Sequence, residues 1–133
     1  RMEAGRRMGL GDVTGKVIPK ISLLSAPRNG GSITSRYFVP QNLHPSHAVT
    51  GGICTATCAV MKGTVADGLS EVEKIPVERI VIEHPMGDLH VELSVDGHGP
   101  DMTINYGGIL RTARPIFKGD IMVPHSVWNG EPQ

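Results

Sequence analysis

Apolar positions first gather in KVIPKISLLSAP, where the run from about Lys20 to Ala26, bounded by Pro19 and Pro27, predicts a buried strand. RNGG then turns the chain. SITSRYFVP alternates up to Pro40, with Ile33, Ser35, Tyr37 and Val39 on one side and Ser32, Thr34, Arg36 and Phe38 on the other. The pair predicts a hairpin. From His47 to Lys62 the pattern changes to a proline-free run of Ala, Thr and Cys carrying Val49, Ile53, Val60 and Met61, which predicts a helix ended by Gly63. Its residues are small all round, so it is expected to be buried on most faces and embraced by sheet.

Farther along, SEVEKIPVERIVIEHPMGDLHVELSVDG predicts two strands across the turn HPMGD. In the second, Leu89, Val91, Leu93 and Val95 point inward and His90, Glu92 and Ser94 outward. ILRTARPIFKGDIMVP predicts a last strand, interrupted at Pro115 and turning at Lys118 to Asp120, while RMEAGRRMGL at the start predicts the end of a helix stopped by Gly9 and Gly11. One helix and five to seven strands, joined mostly as hairpins, make an α+β fold rather than a series of βαβ units. The glycine pairs at 30–31, 51–52 and 107–108 never form G-x-G-x-x-G, and no phosphate-binding loop is present.

Length and charge narrow the partners. At 133 residues the chain is expected to be a single domain spanning 1–133. Thirteen Lys and Arg balance thirteen Asp and Glu without a basic stripe, so neither nucleic acid nor an anionic membrane is an expected partner, and a small molecule is. No apolar run approaches the roughly 18 residues of a membrane span, and no signal-peptide region opens the chain, so a soluble, cytoplasmic protein is expected. Cys54 and Cys58 stand one helical turn apart, a poor geometry for a disulfide, and reduced thiols fit.

Candidate chemistry centres on HPSHAVTGG, residues 44–52. Pro45 fixes the approach, Ser46 or His47 can cap the helix, and the amides from His47 to Thr50 leave the helix start with partial positive charge, a setting that binds carboxylate or phosphate. Ser46 and Thr50 can donate hydroxyl hydrogen bonds, and His44 or His47 can move protons near neutral pH. Spacing alone leaves a plain capped core helix equally open. His44 and His47 lack further ligands at matching spacing, so no metal site is expected. His84, His90, His98 and His125 read as solvated or hydrogen-bonded, and Cys54 and Cys58 as buried packing, too deep in the helix to feel its end. Arg36, Arg111 and Arg114 can clamp carboxylates, but at least two of them are expected to pair with Glu78, Glu83 or Glu92.

Three stretches carry a family resemblance: GLGDVTGKVIPKISLLSAPR, RYFVPQNLHPSHAVTGGICTATCA and NYGGILRTARPIFKGDIMVP, within which HP-x-x-AVTG and RTAR-x-[IL]-x-x-G are the specific elements. Over nearly its whole length the chain resembles the C-terminal domain of the PrpF family of isomerases and tautomerases, which act on methylaconitate, oxalomesaconate and methylitaconate. The resemblance implies the diaminopimelate epimerase-like fold, in which two similar domains, each a curled, mostly antiparallel sheet around a central helix, enclose the active site. Segment 47–62 would be that helix, and the N-terminal half of the two-domain protein would be absent. Against the epimerases, Ile53 stands where their second catalytic cysteine belongs, so two-cysteine racemisation is not expected. The implied activity is a cofactor-independent shift or isomerisation of a double bond in a small unsaturated di- or tricarboxylate. A cysteine and a lysine of the missing N-terminal domain would move the proton, so this chain alone would be inactive. The site residues implied here are His44 and His47 as acid/base partners, and Ser46, His47, Ala48, Val49 and Thr50 as the carboxylate-binding helix end. No metal, nicotinamide or flavin is implied. The expected partners are a small polycarboxylate and the missing domain, with a homo-oligomer allowed. The reading from another class is a non-catalytic carboxylate-binding or partner-binding domain with the same fold. If a domain is missing, one face is expected to show an apolar patch larger than a monomer usually exposes, and a uniformly polar surface around the 47–50 helix start would count against it.

Overall fold

The computed structural model describes residues 1–72, 79–97 and 99–131. The elements run α1 (Met2–Arg7), β1 (Ile21–Ser25), β2 (Ile33–Phe38), α2 (Val49–Val60), β3 (Ile80–His84), β4 (Gly87–Asp96) and β5 (Thr103–Ile109), with a short 3-10 turn at Gly99–Asp101. The strands form one curled, mixed sheet in the order β1-β2-β3-β4-β5. Three of its four pairings are antiparallel, as the hairpin pattern predicts. The exception is β2 with β3, which lie parallel. A parallel pair of neighbours needs a crossover, and α2 supplies it, so the chain does contain one βαβ unit.

The α2 side of the sheet is the core. Ile33 from β2, Ile80 and Ile82 from β3, and Leu89, Val91, Leu93 and Val95 from β4 pack with Ala56, Ala59 and Val60 of α2. The period-2 reading of β4 therefore holds at every inward position. Small residues let the helix come close: a Cβ added at Gly52 would lie 2.7 Å from Leu89 Cδ2, and one at Gly107 of β5 would lie 2.8 Å from Ile53 Cγ2. Two residues, Pro85 and Met86, turn β3 into β4, pairing His84 with Gly87, whose φ of 130° suits glycine. At the N-terminus, Arg1 Nη1 donates to the carbonyls of Val13 and Ile18 at 2.7 and 3.0 Å, tying the opening loop to α1.

Several expectations are corrected. The helix packs against β2, β3, β4 and β5 but is not covered all round: Val49, Thr50 and Cys54 are exposed. Cys54 is therefore a surface thiol rather than core packing, while Cys58 is half-buried against the core, and both are free. The strand predicted around 109–124 is not formed. The last strand comes earlier, at β5, and residues 110–131 contain no strand, with Ile116 94 % and Met122 90 % exposed. Their apolar pattern suits a strand, yet among the described residues they pair with neither free edge of the sheet, β1 or β5. The 73–78 part of the predicted strand before HPMGD lies outside the described residues.

The expected arginine pairs are also absent among the described residues, where the ion pairs are Glu3 with Arg6 and Arg7 and Lys62 with Asp67. Glu78 lies outside them. Glu83 serves another purpose: its carboxylate accepts the amides of Arg28, Asn29 and Gly31 at 2.8, 2.6 and 3.0 Å and the Thr34 hydroxyl at 2.7 Å. Burial pushes the carboxyl pKa up, but these four donors outweigh it and hold the value at about 2. A charge that seemed destined for an arginine instead folds the β1–β2 loop onto β3.

Candidate active site

The junction ahead of α2 is built from β2, β3 and the loop between Phe38 and Val49. Leu43 bridges back to Phe38, and the His44 amide donates to the Tyr37 carbonyl at 2.7 Å, so the loop runs along the end of β2. The alternation of β2 puts Ser35 and Tyr37 on the face that meets α2. There the His47 ring stacks on Tyr37, with centroids 4.5 Å apart and planes 21° apart, and its Nε2 lies 3.1 Å from Ser35 Oγ. His47 Nδ1 faces the Ala48 carbonyl at 3.3 Å. A ring that donates from Nδ1 accepts at Nε2, so the Ser35 hydroxyl donates to it. Burial lowers the His47 pKa below the usual histidine value, and the nearby His84 and His44 push the same way.

The helix begins differently from the prediction. Its N-cap is Ala48, in extended conformation with no side-chain cap, rather than Ser46 or His47, whose side chains are engaged elsewhere. The first intrahelical bond runs from the Gly52 amide to the Ala48 carbonyl at 2.8 Å. Among the described residues, nothing accepts from the amides of Val49, Thr50 and Gly51, and no acidic side chain occupies the first turn. Three outward N–H groups at an uncompensated positive helix end are thus left for water or an anion.

His44, Ser46 and His84 gather beside this end. The Ser46 amide donates to His44 Nδ1 at 3.0 Å, and the Nε2 of the half-buried His44 has no partner among the described residues. Ser46 Oγ stands 3.4 Å from His84 Nε2. Of the residues named from sequence, Ser46, His47, Ala48, Val49 and Thr50 follow one another into the helix, and His44 joins them through Ser46. Sequence reasoning set His84 aside and did not single out Tyr37 or Ser35. The available signal was a polar Ser and a Tyr on the inward face of an alternating strand. Nothing local marked His84, whose place depends on the β2–β3 pairing.

Near the junction, Leu43 before His44, Val49 at the helix start and Met86 after His84 are exposed. A 650 Å³ depression lined by Arg79, Glu92, Ser94 and Tyr106 lies elsewhere, on the sheet face away from α2. Among the described residues no group of three metal-ligating side chains comes together, and no helix is long and apolar enough to cross a membrane.

The close packing at Gly51 yields a prediction. A Cβ there would lie 2.8 Å from Tyr37 Cε2, in a ring already stacked on His47. Alanine favours helix over glycine by about 1 kcal/mol. The clash is nevertheless expected to win, with Gly51→Ala losing about 1–2 kcal/mol in urea denaturation; a stabilised variant would show that the ring yields freely.

Comparison with known proteins places this geometry among relatives. A family model described as PrpF protein matches residues 1–124. The chain is 41 % identical over 130 residues to a 4-oxalomesaconate tautomerase of Pseudomonas putida, covering 98 % of this chain and 35 % of that protein. It is 41 % identical over 124 residues to YbhH of Escherichia coli, covering 93 % and 34 %. A (4E)-oxalomesaconate Delta-isomerase of a Novosphingobium species is 35 % identical over 123 residues, covering 92 % and 34 %. The chain thus spans about a third of the length of the curated relatives it matches.

Proposed function

The chain belongs to the PrpF family, and from that membership we propose that it is the C-terminal part of an isomerase that moves or isomerises a double bond in a small unsaturated di- or tricarboxylate. The names of the tautomerase and isomerase relatives support the reaction class. The observation that carries the site is the start of α2, where the Val49, Thr50 and Gly51 amides have no acceptor among the described residues and Ser46, Thr50 and His44 stand alongside. A substrate carboxylate seated there receives amide and hydroxyl hydrogen bonds.

The chemistry follows from that seat. When a base removes a proton from an allylic carbon, the electron pair delocalises through the double bond into the carboxylate, giving a dienolate. Return of a proton to the far end of that system completes the shift. Negative charge builds on the bound carboxylate in this intermediate, so the helix end stabilises it more than the ground state. In this reading His44, with its free Nε2, is the polar or acid/base partner of the substrate. His47, whose two nitrogens are engaged, holds the junction in shape. The base and its conjugate acid come from a further domain facing this one, and no cofactor takes part.

Proton NMR in D2O with oxalomesaconate or aconitate as substrate tests the proposal, comparing this chain alone with the two-domain protein. The two-domain protein is expected to give an isomerised product carrying solvent deuterium at the carbon that receives the proton, with activity unchanged by EDTA, and the chain alone to give none. Isomerisation by the 133-residue chain alone would overturn the two-domain reading, and loss of activity in EDTA the cofactor-free one.

A further inference from the structure

Ser46 is held from two sides. Its amide donates to His44 Nδ1, and its Oγ lies 3.4 Å from the Nε2 of His84, which ends β3. The Met86 amide, in the turn that follows, donates to His84 Nδ1 at 3.2 Å. An Nδ1 that accepts a hydrogen bond carries no proton, so the proton of the neutral ring sits on Nε2, the nitrogen nearest Ser46. Burial, aided by the charge of Arg111, draws the His84 pKa below its usual value against the opposing pull of the Pro45 carbonyl and Asp88, which keeps the ring neutral at pH 7. With the Pro45 carbonyl as a second acceptor facing the ring, Ser46 Oγ can accept from His84, and its own proton has no acceptor among the described residues.

We infer that His84 is a positioning residue, fixing the Ser46 hydroxyl so that it donates to the carboxylate of the bound di- or tricarboxylate. The inference rests on the carboxylate-binding reading of the junction. It adds a residue contributed by the sheet, 38 positions from Ser46 in sequence. A hydroxyl that accepts from a fixed donor has a single proton and a narrowed range of directions for it. This pre-organisation favours a ligand oxygen placed opposite the imidazole.

The test is a double-mutant cycle on KM in the two-domain protein, with oxalomesaconate as substrate. Ser46→Ala is expected to raise KM about tenfold, the worth of one hydrogen bond to a charged group. His84→Phe, which keeps a ring but no donor, is expected to raise it roughly fivefold. Combined with Ser46→Ala it adds nothing further, because His84 acts only through that hydroxyl. His84→Gln, whose Nε2 reaches about as far as the imidazole nitrogen, restores KM. An unchanged KM in His84→Phe, or full additivity with Ser46→Ala, overturns this inference and leaves the carboxylate site standing. An unchanged KM in Ser46→Ala also overturns this inference, since the backbone amides of the helix start would then hold the carboxylate without the hydroxyl. In the 133-residue chain, 15N NMR of the His84 ring supplies an independent readout. A neutral ring protonated at Nε2 is expected at pH 7.5, and a ring protonated at Nδ1 overturns the inference.

Discussion

Replacing Glu83 by alanine is expected to cost about 3 kcal/mol of folding stability, among the largest losses available from one side chain in this chain. The carboxylate accepts three amides from the loop between β1 and β2 and a hydroxyl from β2, all within 3.0 Å. Its removal leaves those donors without partners in a part-buried site. Glu83→Gln is expected to lose about 2 kcal/mol, because one of its two terminal atoms is a donor facing donors. A pH dependence accompanies the loss. The folded-state pKa of about 2 lies below the ordinary 4.5, so the stabilising contribution is complete above about pH 4.5 and is lost as the pH falls toward 2. Over that window it amounts to about 3 kcal/mol. Urea denaturation from pH 7 down to pH 2 should show a steep acid limb in the parent and a flatter one in Glu83→Gln. Equally steep limbs would assign the acid lability to other carboxylates.

His47→Ala is expected to cost a further kind of stability and, with it, the site. The ring is only 3 % exposed, stacks on Tyr37 and accepts from a fully buried Ser35. Truncation opens a cavity and leaves the Ser35 hydroxyl unpaired, at a cost of about 3 kcal/mol. His47→Phe keeps the stacking and loses only the acceptor, which should halve the cost. The lowered pKa of His47 means that its contribution is complete above the unfolded value of about 6.5 and declines as the pH falls below it. Parent and His47→Phe should therefore differ less in stability at pH 5 than at pH 7.5. In the proposed two-domain protein, turnover should fall far more with His47→Ala than with His125→Ala, since His125 lies exposed in a segment that forms no strand. Equal losses would remove His47 from the site.

These two residues show where sequence reading reaches and where it stops. His47 was visible because it stands next to the residues it serves: a Pro, a Ser and the first turn of a helix within a few positions. Glu83 was visible only as a charge, and the guess that it pairs with arginine followed from charge alone. Its actual partners are 49 to 55 residues away and three of them are backbone amides, which carry no sequence signature. Cys54 was misjudged for a related reason. Small helical residues announce that something packs closely, but not on how many sides.

The sequence by itself determined the kinds of element and their inward faces. Alternation placed Ile33, Ser35 and Tyr37 together on β2 and Leu89, Val91, Leu93 and Val95 together on β4. The run of small residues between His47 and Lys62 marked the helix α2. These are local properties, set by the repeat of strand and helix along the backbone. Only the tertiary structure decided that β2 and β3 run parallel, that α2 leaves Val49, Thr50 and Cys54 exposed, and that segment 110–131 makes no strand. It also decided that His84 reaches Ser46 and Glu83 reaches the β1–β2 loop. Each of these outcomes depends on strand order and register. Those are fixed by the burial of the whole sheet against the helix, because a one-residue slip would turn every inward side chain out.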